Sequence, residues 1–184
     1  MDLPEGVNIS YGGEYESSLK NYIPMTYSLI TSIVIIFIIL LIQFKDIKRS
    51  ILIMITMPLS LLGATLGLYI IGYPFGITAF LGLISLAGIV VRNGIILIDY
   101  AIDLQENHGY SITDAAKAAA KRRMRPIFLT SAAAAVGVIP MIISGSPLWG
   151  PLGTVICFGL IISMILTLFV LPVLYSLMFK GKTV

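Results

Sequence analysis

Leu86-Ala87-Gly88-Ile89-Val90-Val91-Arg92-Asn93-Gly94-Ile95-Ile96-Leu97-Ile98-Asp99-Tyr100 reads as a membrane-spanning stretch with a cation at its centre. A charge at that depth costs several kcal/mol, about 2.5–3.5 on insertion scales. Such a group is retained when it has a partner and a purpose. The rest of the chain shows why this stretch must be read in lipid. No Asp, Glu, Lys or Arg occurs at 21–44, 50–91 or 126–179. Each run exceeds the ~20 apolar residues that cross a bilayer. Of the 184 residues, 58% are hydrophobic and only 11% charged, against about 25% charged in soluble domains. This is the composition of an integral membrane protein.

Five spans are expected, at about 22–43, 51–71, 77–101, 125–143 and 152–178. Gly72-Tyr73-Pro74-Phe75-Gly76 divides the second run of apolar residues, and Ser144-Gly145-Ser146-Pro147-Leu148-Trp149-Gly150-Pro151 divides the last. Both are rich in the residues that make turns. Lys45, Lys48 and Arg49 follow the first span. Lys117, Lys121, Arg122, Arg123 and Arg125 lie between the third and fourth, and Lys180 and Lys182 follow the fifth. Five spans place these basic segments on one side, which is then cytoplasmic. Residues 1–20, with Asp2, Glu5, Glu14 and Glu16, fall outside, and 180–184 form a cytoplasmic tail. Ser111-Ile112-Thr113-Asp114 fits a capping box. It predicts a short interfacial helix over 112–124. The net charge of +3 is accounted for by span ends and gives no sign of nucleic-acid binding. The lone Cys157 can form no intrachain disulfide and reads as a small hydrophobe. The abrupt, leaderless start suggests a segment of something longer.

Arg92 and Asp99 are seven residues apart. They share a helix face, ~10 Å apart along the axis. Arg92 lies ~14 Å from the cytoplasmic end of its span, near the middle of a ~30 Å core. One use for it is a structural ion pair with a carboxylate on another helix. The other places it beside groups that gain and lose protons. Arg does not itself deprotonate in proteins, but it can hold a carboxylate ionised. No carboxylate of the chain sits at the same depth; Asp99, the nearest, is closer to the cytoplasm. Asn93 adds an amide beside Arg92. Thr130 and Ser131 bring hydroxyls into the first turns of the fourth span, after Arg125-Pro126, where Pro at a helix start costs no hydrogen bond. They could bond a carboxylate or pass a proton. A buried hydroxyl more often bonds its own helix. Gly63-Ala64-Thr65-Leu66-Gly67 is a GxxxG pattern, expected to serve packing within the bundle. No metal-ligand cluster, phosphate loop or catalytic set stands out, so neither a resident cofactor nor an intramembrane enzyme is expected.

The stretch from Gly88 to Ala101 resembles the tenth transmembrane helix of resistance-nodulation-division (RND) efflux pumps. Arg122-Arg123-Met124-Arg125-Pro126-Ile127-Phe128-Leu129-Thr130-Ser131 resembles the start of their helix eleven. The likeness covers nearly the whole chain, as helices eight to twelve of a twelve-helix bundle. Leu3-Pro4-Glu5-Gly6 and Gly12-Gly13-Glu14-Tyr15 resemble the last strands of the preceding periplasmic domain. The branch it resembles most is the hydrophobe/amphiphile exporters. The resemblance implies an all-α membrane segment of a proton-driven multidrug antiporter in the bacterial inner membrane. It implies a homotrimer that works with a periplasmic adaptor and an outer-membrane channel. It also implies a relay in which two Asp of helix four meet a basic residue on helix ten and a hydroxyl on helix eleven. Arg92 falls at the basic position, Asn93 beside it and Thr130 at the hydroxyl; Asp99 and Ser131 are secondary candidates. Many members of that branch carry Lys where this chain has Arg, which would leave the carboxylates as sole proton carriers. Helix four and the drug-binding and docking domains have no counterpart in this sequence. A stand-alone membrane scaffold or accessory subunit, and a protein- or lipid-exporting relative, are the competing expectations.

Overall fold

The computed structural model describes the backbone of residues 14–179 and the side chains of residues 21–179. The chain is all-helical there: α1 Glu14–Phe44, α2 Ile47–Met54, α3 Thr56–Ile71, α4 Ile77–Glu106, α5 Ile112–Ile143 and α6 Trp149–Phe179. Five stretches are long and apolar enough to cross a membrane, with α2 and α3 together forming one of them. This is a multi-pass membrane protein. Helices suit the bilayer because they satisfy every backbone N–H and C=O internally.

The interruption between α2 and α3 has a local cause. Pro58 has no N–H to offer the carbonyl of Met54, and its ring crowds that carbonyl. The helix breaks at Ile55, directly after Met54. Lys45 turns the chain between α1 and α2 with φ 50°. Asp46 then caps α2, accepting from the Lys48 amide at 3.0 Å. Gly72, at φ 85°, ends α3 in the left-handed conformation that glycine adopts without strain. Its N–H donates to the Leu68 carbonyl.

Two expectations need correction. Residues 112–124 are not a separate helix. They are the first part of α5, which runs through Pro126 to Ile143 without a break. Pro126 is therefore an interior residue, and it does remove a backbone hydrogen bond, the one that would reach Arg122. Transmembrane helices tolerate such a proline because neighbouring helices and local adjustment re-satisfy the freed groups. Within the N-terminal segment expected to be strand-like, residues 14–20 are the first turns of α1. The remainder, with Leu3-Pro4-Glu5-Gly6, lies outside the described residues, as do Lys180 and Lys182.

The last helix is the hub. At Gly63 of α3, an added Cβ would lie 2.8 Å from the Ile162 Cβ and 2.9 Å from the Phe158 carbonyl oxygen. At Gly67 it would lie 2.5 Å from the Phe158 Cβ. The GxxxG pattern thus packs α3 on α6 within the chain, as expected. Gly82 of α4 approaches Val155 in the same way, and Gly159 of α6 receives Leu86 of α4. Gly153 of α6 meets Met141 and the Val138 carbonyl of α5. Close backbone approach at small residues is how helices associate where lipid is as apolar as the side chains. In contrast, among the described residues α1 packs on α2 and α4 and touches the turn before α4 through Tyr22, and little of its apolar surface is buried.

Candidate functional site: the groove between α4 and α5

Because α4 is unbroken from Ile77 to Glu106, Arg92 and Asp99 fall on one face, two turns apart. That face is open, and both side chains are exposed in this chain. α5 lies alongside and contributes Thr130, Pro126 and Arg123. Together these residues line a groove of about 260 Å³. Thr130 and Arg123 are also seven apart, so α5 repeats the spacing that α4 uses. The groove therefore holds two guanidiniums and one carboxylate, an excess of positive charge on an open face of an apolar bundle. Among the described residues no ion pair reaches Arg92.

Arg92 borders a second groove on its other flank, of about 170 Å³, between α4 and α1. Gly88 lies one turn away from Arg92 on this side. A Cβ there would meet nothing within 4 Å, so the guanidinium has room towards both flanks of α4.

Thr130 is exposed to the groove, but its hydroxyl proton is already engaged. Oγ1 donates to the carbonyls of Pro126 at 3.0 Å and Ile127 at 3.1 Å. The oxygen lone pairs remain free to accept. In this arrangement Thr130 can receive a hydrogen bond from a protonated acid, and must give up its helix bond to donate.

Asn93 and Ser131 sit elsewhere. One residue along a helix is a rotation of ~100°, which carries both away from the groove into the α4–α5 interface. Asn93 is 4% exposed and Ser131 3%, and the Asn93 amide donates to the Ser131 hydroxyl at 3.2 Å. The pair clamps α4 to α5, and its sequence neighbours Arg92 and Thr130 are thereby presented side by side. Asn93→Ala should lower stability by roughly 1 kcal/mol, the scale of interhelical bonds in membranes. A double-mutant cycle with Ser131→Ala, read by denaturant titration, should show coupling; strictly additive losses would remove the clamp.

Arg123 is the groove residue that the sequence did not single out. It is one of five basic residues between spans three and four. Its seven-residue spacing from Thr130 was the available signal. Its guanidinium lies over the Tyr100 ring, 4.5 Å from the centroid, and its Nε is buried without a hydrogen-bond partner. A cation on an aromatic face keeps part of its electrostatic stabilisation away from water.

Residues 1–179 match the family model described as the AcrB/AcrD/AcrF family. The chain belongs to the AcrB/AcrD/AcrF family. This agrees with the resemblance to RND permeases. Among its relatives, the cobalt-zinc-cadmium resistance protein CzcA of Cupriavidus metallidurans is 34% identical over 180 residues, covering 96% of this chain and 17% of that protein. The multidrug resistance protein MdtC of Pantoea ananatis is 32% identical over 183 residues, covering 98% and 18%. A crystal structure of a heavy metal efflux pump superposes with a TM-score of 0.83 at 30% identity, covering 97% of this chain and 18% of that one. The chain thus spans less than a fifth of the length of these AcrB/AcrD/AcrF-family relatives. Metal-resistance and multidrug-resistance members match it to a similar extent, so the match shows the family without separating its branches.

Proposed function

We propose that this chain is the C-terminal membrane portion of a proton-driven efflux permease and supplies the cationic side of its proton relay. The observation that carries this reading is the open α4–α5 groove, where Arg92 and Thr130 face outward together. Exposed polar groups at this depth are costly in lipid, so the face is built to be covered. The occupant that suits it is a helix bearing carboxylates, contributed by the N-terminal half that the relatives' greater length implies. Arg92 then acts as a counter-charge. A carboxylate about 4 Å away gains on the order of 4 kcal/mol when ionised at an effective dielectric of 20. Protonation removes that attraction and frees the guanidinium, which has space on both flanks of α4. Asn93 and Ser131 hold the register, Thr130 accepts a hydrogen bond, and Asp99 lies towards the basic end of the groove.

The same reading places the basic segments in the cytoplasm, the α1 start in the periplasm and the protein in the bacterial inner membrane. It carries a homotrimer with periplasmic adaptor and outer-membrane channel, energised by the proton gradient with no resident cofactor. For the exported compounds we favour hydrophobes and amphiphiles, on the likeness of the α4 segment to that branch and the relatives named for multidrug resistance. Metal-cation export is the second reading, favoured by CzcA and by the heavy metal efflux pump structure.

The test is transport by the full-length protein in proteoliposomes under an imposed pH gradient. Amphiphilic dye movement should accompany proton flux and stop when a protonophore collapses the gradient. Movement of Zn²⁺ or Co²⁺ in place of dye would select the second reading. Absence of proton flux with every substrate would leave the scaffold reading instead.

A further inference from the structure

A second groove flanks α5 on its opposite side, against α6. It is lined by Phe128, Ala132, Ala135 and Ile139 of α5 with Cys157 and Ile161 of α6, and has a volume of about 310 Å³. At 100° per residue, these α5 positions lie roughly opposite Thr130. A helix covering the α4–α5 groove therefore does not reach this one. Its surface is formed wholly by apolar atoms, since the Ser131 hydroxyl beside it is turned to Asn93. From Phe128 to Ile139 the axial rise is ~16 Å, about half of a ~30 Å hydrocarbon core. The groove is one leaflet long.

The same stripe of α5 becomes cationic where the apolar run begins. Arg125 is the last charge before 126–179, and Lys121 precedes Phe128 by seven residues, on nearly the same helical bearing. Both are exposed, and no ion pair to either forms among the described residues. The nearby carboxylate on that face, Asp114, is held by the Ser111 hydroxyl at 2.7 Å. Two cations without an ion pair among the described residues, in line with an apolar groove one leaflet long, suit an anionic headgroup joined to an acyl chain. We propose that the α5–α6 groove binds an anionic phospholipid from the leaflet at the basic end, with its phosphate on Lys121 and Arg125 and an acyl chain along Phe128 to Ile139. This requires membrane embedding alone and does not depend on proton coupling.

The experiment is native mass spectrometry of the full-length protein released from nanodiscs of equal phosphatidylglycerol and phosphatidylcholine. Phosphatidylglycerol should be retained preferentially. Lys121→Ala with Arg125→Ala should reduce that preference by roughly fivefold per cation. Ala132→Phe, which fills the groove without altering charge, should reduce retention of both lipids; Ala132→Leu serves if the larger side chain disturbs folding. Circular dichroism and elution profile establish that each variant is folded. Equal retention of the two lipids, or unchanged retention in the groove-filled variant, overturns the proposal. So does a cysteine at position 132 that cross-links to another protein segment in the membrane.

Discussion

Arg92→Ala in the full-length protein should abolish gradient-driven export while leaving the protein folded and inserted. Arg92 is exposed in this chain and forms no ion pair among the described residues, so its removal opens no cavity in the core. What is lost is the counter-charge. At about 4 Å and an effective dielectric of 20, that charge favours the ionised carboxylate by on the order of 4 kcal/mol. Each 1.36 kcal/mol is one pKa unit, so a facing acid would rise by roughly two to three units and stay protonated through the cycle. Export should fall below about 1% of wild type. Arg92→Lys is the informative companion, because it keeps the charge and forfeits the planar fork. Partial export with Lys and none with Ala, at equal protein levels in vesicles, is the expected pattern. Undiminished export in the Ala variant removes Arg92 from the mechanism.

The second large effect is expected far from any charge. Gly63→Val should prevent α3 from seating on α6. A Cβ at this position meets the Ile162 Cβ at 2.8 Å and the Phe158 carbonyl oxygen at 2.9 Å. The second contact is backbone, so no rotamer change relieves it. Overpacking in a close-packed interior costs typically 1–3 kcal/mol and at times more, and here the whole α3–α6 interface must shift. Loss of the folded fraction in detergent, read by thermal denaturation, is the expected result. Thr65→Val is the control. Thr65 is exposed and bonds only carbonyls of its own helix, so its loss should stay within about ±0.5 kcal/mol. A Gly63→Val protein as stable as that control would mean that α3 and α6 are not in this close contact.

These two effects mark how far the sequence alone could be read. The spans were legible because lipid forbids charge over ~20 residues, and the uncharged runs are longer than that. The GxxxG pattern was legible because only glycine lets two backbones approach so closely. The continuity of α5 was not, because Pro126 argues locally for a boundary, and the packing of α5 on α4 and α6 is a tertiary fact. Arg92 and Thr130 were found as rare polar groups at matching depth. Asn93 and Ser131 share that depth, but their direction depends on which face of α4 meets α5, a tertiary fact. Arg123 was hidden for the opposite reason: a cation among four others does not stand out, even at seven residues from Thr130, until the helix places it over Tyr100.

The glycine-lined contacts of α6 have a consequence for biogenesis. A polytopic protein enters the membrane in chain order, so α3, α4 and α5 are made before the helix that each of them packs against. Until α6 arrives, Gly63, Gly67 and Gly82 face lipid or one another, and Leu86 lacks the notch at Gly159 that receives it. The earlier spans can be threaded across the bilayer, but this bundle cannot close before α6 has been made. Its assembly waits for α6 to be inserted between its elders, whereas the Arg92 face, built by α4 and α5 alone, can form one helix earlier.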